Sequence, residues 1–374
     1  MQQFECARCH DGSGVETPPL TKQCVGCHRA IQAGGLKLTD PTTGKVSSPT
    51  PAVLAEWQGH IVHLRHVPDL ADLGETLRPE WLARFLANPH DLRPALPASM
   101  PRLPLSEEQA RDVAAYLTRT APRPVAGRVN AGDARRGAGV FASHGCGKCH
   151  AFGPAQRPEA ASDPRFLAPD ALLAPDLQFT RERFRTDRLD AWLEDPQRVR
   201  DGALMPKPKL TPAERRDVIA YLLEAELPKP ARQALRAPLP LLTRPVTFDE
   251  VNQAVFRKVC WHCHAQPSFA RGDGGPGMTG GFGFEPRRLD LSAYGAILAG
   301  YLDDAGETRS VFTPAAAFEG ERDSHPMLLA VLLARQREEL GFAASVRGMP
   351  LGLPALSPPQ IQLVASWIDQ GRPH

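Results

Sequence analysis

The eight cysteines of this 374-residue chain fall as four C-x-x-C pairs, and a histidine follows every pair. The runs are Cys6-Ala7-Arg8-Cys9-His10, Cys24-Val25-Gly26-Cys27-His28, Cys146-Gly147-Lys148-Cys149-His150 and Cys260-Trp261-His262-Cys263-His264. Two thiols three residues apart share one helical turn, where they can bond to the two vinyl carbons of one porphyrin. The next residue then points its imidazole at the iron, so each run reads as the attachment motif of a c-type haem. The chain has 12 histidines. Chance therefore places one after a given pair about 3% of the time, and after all four on the order of once in a million.

Two other chemistries use such pairs. Cys6/Cys9 and Cys24/Cys27 are spaced C-x2-C-x14-C-x2-C, close to a zinc ribbon. A disulfide framework in a secreted protein is the second. Neither accounts for the histidines, and zinc leaves the two downstream pairs without a partner pair. The expectation is four covalent haems c. Their thioethers form at Cys6, Cys9, Cys24, Cys27, Cys146, Cys149, Cys260 and Cys263, and their proximal ligands are His10, His28, His150 and His264.

The elements that must hold such sites recur. Three of the six methionines stand in Met-Pro dipeptides, Met100-Pro101, Met205-Pro206 and Met349-Pro350. Each is followed by a capping-box signature, Ser106-x-x-Gln109, Thr211-x-x-Glu214 and Ser357-x-x-Gln360, which opens a helix. Pro212 and Pro358 take the first helical position, where a missing N–H costs nothing. Val113, Tyr116 and Leu117 share one face, as do Val218, Tyr221 and Leu222. Upstream, Val67-Pro68-Asp69-Leu70 matches Ala174-Pro175-Asp176-Leu177, and a short helix follows each, carrying Trp81 and Phe85 or Trp192. A further helix is predicted from Asp133 to Ala142, ahead of the third motif.

In these residues the chain resembles class I cytochrome c. That family runs from an N-terminal helix through C-x-x-C-H, a Pro-Leu-type loop beside the proximal histidine, a middle helix and a methionine loop to a C-terminal helix. Residues 127–227 match in full. Residues 1–120 lack the N-terminal helix and carry an insertion with the second haem motif. Residues 245–374 are a divergent copy, in which Arg288–Tyr294, Ser324–Leu329 and the tail from Met349 look like bacterial multihaem cytochrome domains. The resemblance implies an all-α fold of three tandem cytochrome c-like helical domains with long loops. Residues 1–122 form a dihaem domain with its extra haem in the insertion 11–66. Residues 127–228 form a monohaem domain, 229–244 a Pro-rich linker and 245–374 a divergent monohaem domain.

The same resemblance implies Met205 as the axial partner of His150, and Met349 and Met100 in the matching places. Met otherwise fills gaps in cores, the reading given to Met327, while Met278 reads as loop. The second haem then has no methionine. The insertion supplies His60, His63 and His66, spaced i, i+3, i+6 on one side of a helix, and one of these is expected to be its distal ligand, His63 or His60 ahead of His66. The crossed assignment, a histidine on the first haem and Met100 on the second, stays open, as does the surface role of each histidine. His325 rivals Met349. His262, between two haem-bound cysteines, cannot reach the far face of its own haem and reads as exposed or bonded to a propionate. His90, His144 and His374 read as solvated.

Composition sets the outer bounds. Hydrophobic residues make 42% of the chain and charged ones 23%, enough for two or three cores. Basic residues number 44 against 42 acidic, too balanced for a nucleic-acid footprint. Two propionates per haem would add about −8 in all. No run approaches the roughly 18 apolar residues of a membrane helix. Met1–Glu5 shows no signal-peptide pattern. Since haem is attached to thiols outside the cytoplasm, a periplasmic or extracytoplasmic place is expected, membrane association included, with numbering that starts after processing.

Haem attachment consumes all eight cysteines, so no thiolate is left as an iron ligand, and no C-x-x-C-K site occurs. With a sixth ligand on each iron no substrate position is open, and catalysis at a metal needs one. The expected function is electron transfer through three His/Met haems and one bis-His haem. The donor would be a quinol-oxidising complex or a dehydrogenase. The acceptor would be an oxidase, a photosynthetic reaction centre or a soluble cytochrome. The alternatives are a haem enzyme with one open iron acting on peroxide or a small oxyanion, and a fixed haem subunit of a membrane complex or an extracellular cytochrome filament.

Overall fold

A computed structural model describes residues 1–39, 43–61, 66–90, 92–94, 100–122, 132–153, 169–228, 237–265, 287–315, 324–342 and 344–374. These residues are mostly helical. In chain order the helices are α1 (Cys24–Gln32), α2 (Pro51–His60), α3 (Pro79–Ala87), α4 (Glu107–Leu117), α5 (Ala134–Ser143), α6 (Pro169–Leu172) and α7 (Thr180–Arg183). There follow α8 (Leu189–Glu194), α9 (Pro196–Val199), α10 (Pro212–Glu224), α11 (Phe248–Val251), α12 (Tyr294–Ala299), α13 (Met327–Glu339) and α14 (Pro358–Asp369). Strand among the described residues is confined to three two-stranded antiparallel ribbons, pairing Leu38 with Ser47, Tyr301 with Arg309 and Ala315 with His325. This composition is that of an all-α class.

Contacts gather the chain into two compact units. One is Met1–His10, Val15–Val67 and Ala234–His374, and the other is Asp11–Gly14 and Pro68–Gln233. In the second unit α5 starts where the sequence places it, with the Asp133 carboxylate accepting from the Arg136 N–H at 2.9 Å. Thr211 opens α10 through its capping box, accepting from the Glu214 N–H at 3.3 Å and giving its own N–H to the Glu214 carboxylate at 2.8 Å. The two helices then cross at Gly137, which is buried against the Asp217 backbone. Phe141 and Phe152 meet the Tyr221 ring edge-on at 5.7 and 5.0 Å. Asp217 closes one side of the crossing, accepting from Arg136 Nε at 2.9 Å and from the Asp133 N–H at 2.7 Å. Those donors hold its carboxyl below the usual range. Ser106 opens α4 by the same box, and α4 packs on α3.

The first unit repeats the crossing with different residues. Thr247 caps α11, accepting from the Glu250 N–H at 3.3 Å, and the helix runs on as a π-helical stretch, Asn252–Cys260. Phe248 and Phe256 both pack on Trp367 of α14, with ring centroids 6.1 Å apart in each pair. The cap-to-cysteine distance is the same in both units, thirteen residues from Asp133 to Cys146 and from Thr247 to Cys260. The sequence reading placed an N-terminal helix only before the third motif, although Thr247-x-x-Glu250 carries the same start signal.

Around the second motif, α1 and α2 pack through Cys27, Ile31, Leu36, Trp57 and Ile61. Gln32 and Gln58 tie the pair, each giving its side-chain amide to main-chain carbonyls of the other helix, at 3.1 Å on Gln58 and 2.9 Å on Ile31. The expected helical array of His60, His63 and His66 is not what forms. α2 ends at His60, Ile61 is extended, and His66 is outside any helix. Gly59 weakens the last turn, and β-branched Ile61 favours extended chain.

Candidate functional site

The four motifs adopt one local shape. In the first, third and fourth the histidine N–H donates to the carbonyl of the first cysteine, at 3.0 Å for His10, 3.0 Å for His150 and 2.8 Å for His264. In the second, Cys24, Cys27 and His28 lie in the first turns of α1. Both thiols and the imidazole therefore sit on a single turn each time, as one porphyrin edge requires. All eight cysteines are free. Burial pushes Cys260 and Cys263 up to about 12 and Cys27 up to about 11, so these are protonated thiols at neutral pH. Among the described residues no three Cys, His, Asp or Glu side chains converge to hold a metal ion.

The chain that follows the third motif steadies its proximal histidine. His150 Nδ1 donates to the Pro175 carbonyl at 2.9 Å, which fixes the ring and leaves Nε2 as the ligating nitrogen. Burial lowers its pKa, so the ring is the neutral, ligating form. The carbonyl is held by a tight turn in which Asp176 accepts from the Gln178 N–H at 2.9 Å, while the Leu177 N–H reaches the Ala151 carbonyl at 2.8 Å. The same turn forms at Asp69, which accepts from the Ala71 N–H at 2.7 Å, with Leu70 on the Asp11 carbonyl at 2.9 Å. It forms again at Asp290, which accepts from the Ser292 N–H at 2.8 Å, with Leu291 on the His264 carbonyl at 2.7 Å. His264 differs in its ring. The Leu289 carbonyl is its favourable neighbour, but Nδ1 makes no full hydrogen bond, and burial pushes its pKa down to about 4.

Met205 and Met349 lie on loops tied to the surrounding core. Met205 packs on the core that also holds Cys146, Leu177 and Trp192, and the Trp192 indole N–H donates to its sulfur at 3.2 Å. Met349 gives its N–H to the Val331 carbonyl at 2.9 Å. The end of α13 clasps the surrounding loop, with Arg335 Nε on the Leu353 carbonyl at 2.8 Å and the Gly348 N–H on Glu338 at 2.9 Å. Those clasping residues were not singled out in the sequence, because nothing local marks them. Met100 is half-buried and precedes a run without regular structure that leads into α4.

Of the remaining candidates, Met327 opens α13, and His325 pairs with Ala315 in a β-ribbon. His63, the side chain of His60, and Met278 lie outside the described residues. His66 is half-buried. His90, read as solvated, packs between Phe85 and Phe179 at 5.4 and 5.2 Å. His144 and His374 are exposed.

One half-buried cation, with its Nε sealed from solvent, bears on the fit of a haem. Burial brings the Arg183 guanidinium down to about 10, and its Nε is sealed from solvent without a hydrogen-bond partner. Its charge also acts on His150. A cation left uncompensated in an interior is costly, and a haem propionate is the anion such a place accepts. Paired free thiols, a neutral imidazole with Nε2 available, a thioether loop and this arginine together fit a haem c.

Residues 134–226 match the cytochrome c family model. The matched span begins at the first residue of α5 and ends two residues beyond α10. No curated protein and no solved structure matches the chain. The chain thus carries a cytochrome c domain, of a family that binds haem c covalently and carries electrons. No helix among the described residues is long and apolar enough to cross a membrane. For the cytochrome c domain, replacing Arg183 by leucine is expected to lower the haem potential by on the order of tens of millivolts, because a nearby cation favours the reduced iron. Potentiometry of the variant against the parent checks this, and an unchanged midpoint would separate Arg183 from the haem.

Proposed function

We propose that the chain is a tetrahaem c-type cytochrome that passes electrons between extracytoplasmic redox partners, and that the three sequence modules 1–122, 127–228 and 245–374 carry its haems. The observation that carries this reading is the common turn of all four motifs, joined in three places by the same Asp-Leu loop beside the motif. When bound, haem supplies a one-electron couple at iron. The protein's part is to hold neutral imidazoles, bring up sulfur ligands and exclude water. His150 with Met205 and His264 with Met349 are two His/Met sites. Met100 supplies a third beside the first motif, and the haem at Cys24 and Cys27 has a second histidine. Six-coordinate iron changes oxidation state with little movement of its ligands, and its potential follows axial ligand, burial and hydrogen bonding. Donor and acceptor are a quinol-oxidising complex or dehydrogenase and an oxidase, reaction centre or soluble cytochrome, met through small polar interfaces that release readily.

The test is a pyridine haemochrome count with a potentiometric titration followed by magnetic circular dichroism. Four haems are expected, three with His/Met spectra and one bis-His. Two or more bis-His spectra would overturn Met100 or Met349 as a ligand. A stoichiometric carbon monoxide change in the reduced protein would favour the enzyme reading instead.

A further inference from the structure

His262 lies between the two cysteines of the fourth motif and takes no part in holding that haem. On one helical turn Cys260, Cys263 and His264 share a face at i, i+3 and i+4, and a side chain at i+2 points away from it. What meets His262 on that opposite side is the second motif. The rings of His28 and His262 have centroids 6.2 Å apart, with planes tilted by 39°, and both belong to the same compact unit. Two imidazoles bound through nitrogen to one metal at about 2 Å each, with each ring centre about 1.1 Å behind its nitrogen, stand about 6.2 Å apart.

Packed rings can also stand at this distance, and two further observations select ligation. His262 Nδ1 is buried with no hydrogen-bond partner, an arrangement that native interiors rarely leave without an occupant. The motifs also meet elsewhere, since the Cys263 thiol lies in the field of Cys24 and Arg8, and the Cys24 thiol is hydrogen-bonded to Cys9.

We propose that His262 is the distal iron ligand of the haem attached at Cys24 and Cys27, opposite His28. The inference rests on haem being attached at the second motif, and it takes that role from His60, His63 and His66. It also sets part of the haem order. The peptide from His262 to Cys263 links the iron of the second haem to a thioether of the fourth, so these two haems are neighbours joined through a few covalent bonds. Electrons can pass between them without crossing solvent. A residue inside one attachment motif thereby serves the adjacent haem.

The experiment uses the full holoprotein with His262→Met and His262→Ala. In H262M the bis-His near-infrared signal is expected to vanish and a fourth His/Met signal to appear, with the potential of that haem raised. In H262A the reduced protein should bind one more equivalent of carbon monoxide than the parent. A parent with four haems and no bis-His signal overturns the proposal. So does a bis-His signal that survives in H262M, or one abolished by His60→Ala, His63→Ala or His66→Ala. Haem counts keep the two readings apart, because a parent with fewer than four haems defeats the attachment reading, whereas a wrong ligand leaves the count at four. Should H262A lose the haem at Cys260 and Cys263, H262M decides, since its side chain fills a similar volume.

Discussion

Replacing Met205 by histidine is expected to lower the potential of the haem held at Cys146, Cys149 and His150 by roughly 0.2–0.3 V, since axial-ligand identity spans about 0.8 V in haem proteins. A thioether is a weak donor that favours the reduced iron, and a second imidazole favours the oxidised one. The site should tolerate the change without unfolding. Met205 stands on the loop ahead of α10, half-buried, and the capping box at Thr211 and the crossing at Gly137 are made by other residues. Trp192, whose indole N–H now meets the sulfur at 3.2 Å, would be left to find another acceptor. Met205→Ala gives the complementary result, a reduced haem that binds one equivalent of carbon monoxide. Redox titration of the variants, with the remaining haems as internal reference, measures both. A titration curve identical to the parent's would remove Met205 from the iron.

What the sequence made legible was local. The four motifs could be read because three residues of spacing bring two thiols onto one turn, and the three helix starts because Ser106, Thr211 and Ser357 each meet a partner three residues on. The helix before the fourth motif carried the same signal at Thr247 and Glu250 and was passed over, since its π-helical continuation and its Phe256 contact to Trp367 depend on α14, over a hundred residues away. The His60–His66 array failed for the opposite reason. Its spacing is helical, but spacing does not outweigh Gly59 and the β-branched Ile61 that follows. Two features could not be reached from the sequence at all. That Arg183 Nε lacks a partner is visible only once its surroundings are placed, and His262 reads in the sequence as exposed or bonded to a propionate because it cannot reach the far face of its own haem. Its neighbour, His28, is remote in sequence.

The glycines of α5 show how sharply such tertiary contacts discriminate between residues that look alike in sequence. Gly137 and Gly139 lie two apart in one helix, and by propensity alone alanine should stabilise either by about 0.5–1 kcal/mol. A Cβ on Gly137, however, would stand 2.5 Å from the Asp217 carbonyl carbon, nearer still to its oxygen, and 2.8 Å from Tyr221 Cβ. All of these belong to the backbone of α10 or to the root of a side chain, so none can turn away. A Cβ on Gly139 meets nothing within 4 Å. Gly137→Ala must therefore push α5 off α10, opening the contact of Phe141 and Phe152 with Tyr221 and lengthening the Arg136–Asp217 pair. The expected cost is about 1–3 kcal/mol, as for overpacking in a closed interior. Hydrogen exchange of the α5 and α10 amides in the holoprotein should show protection lost in G137A and kept or slightly raised in G139A. Equal protection in both variants would mean that the two helices do not cross at Gly137, and the cytochrome c domain would need another packing for its terminal helices.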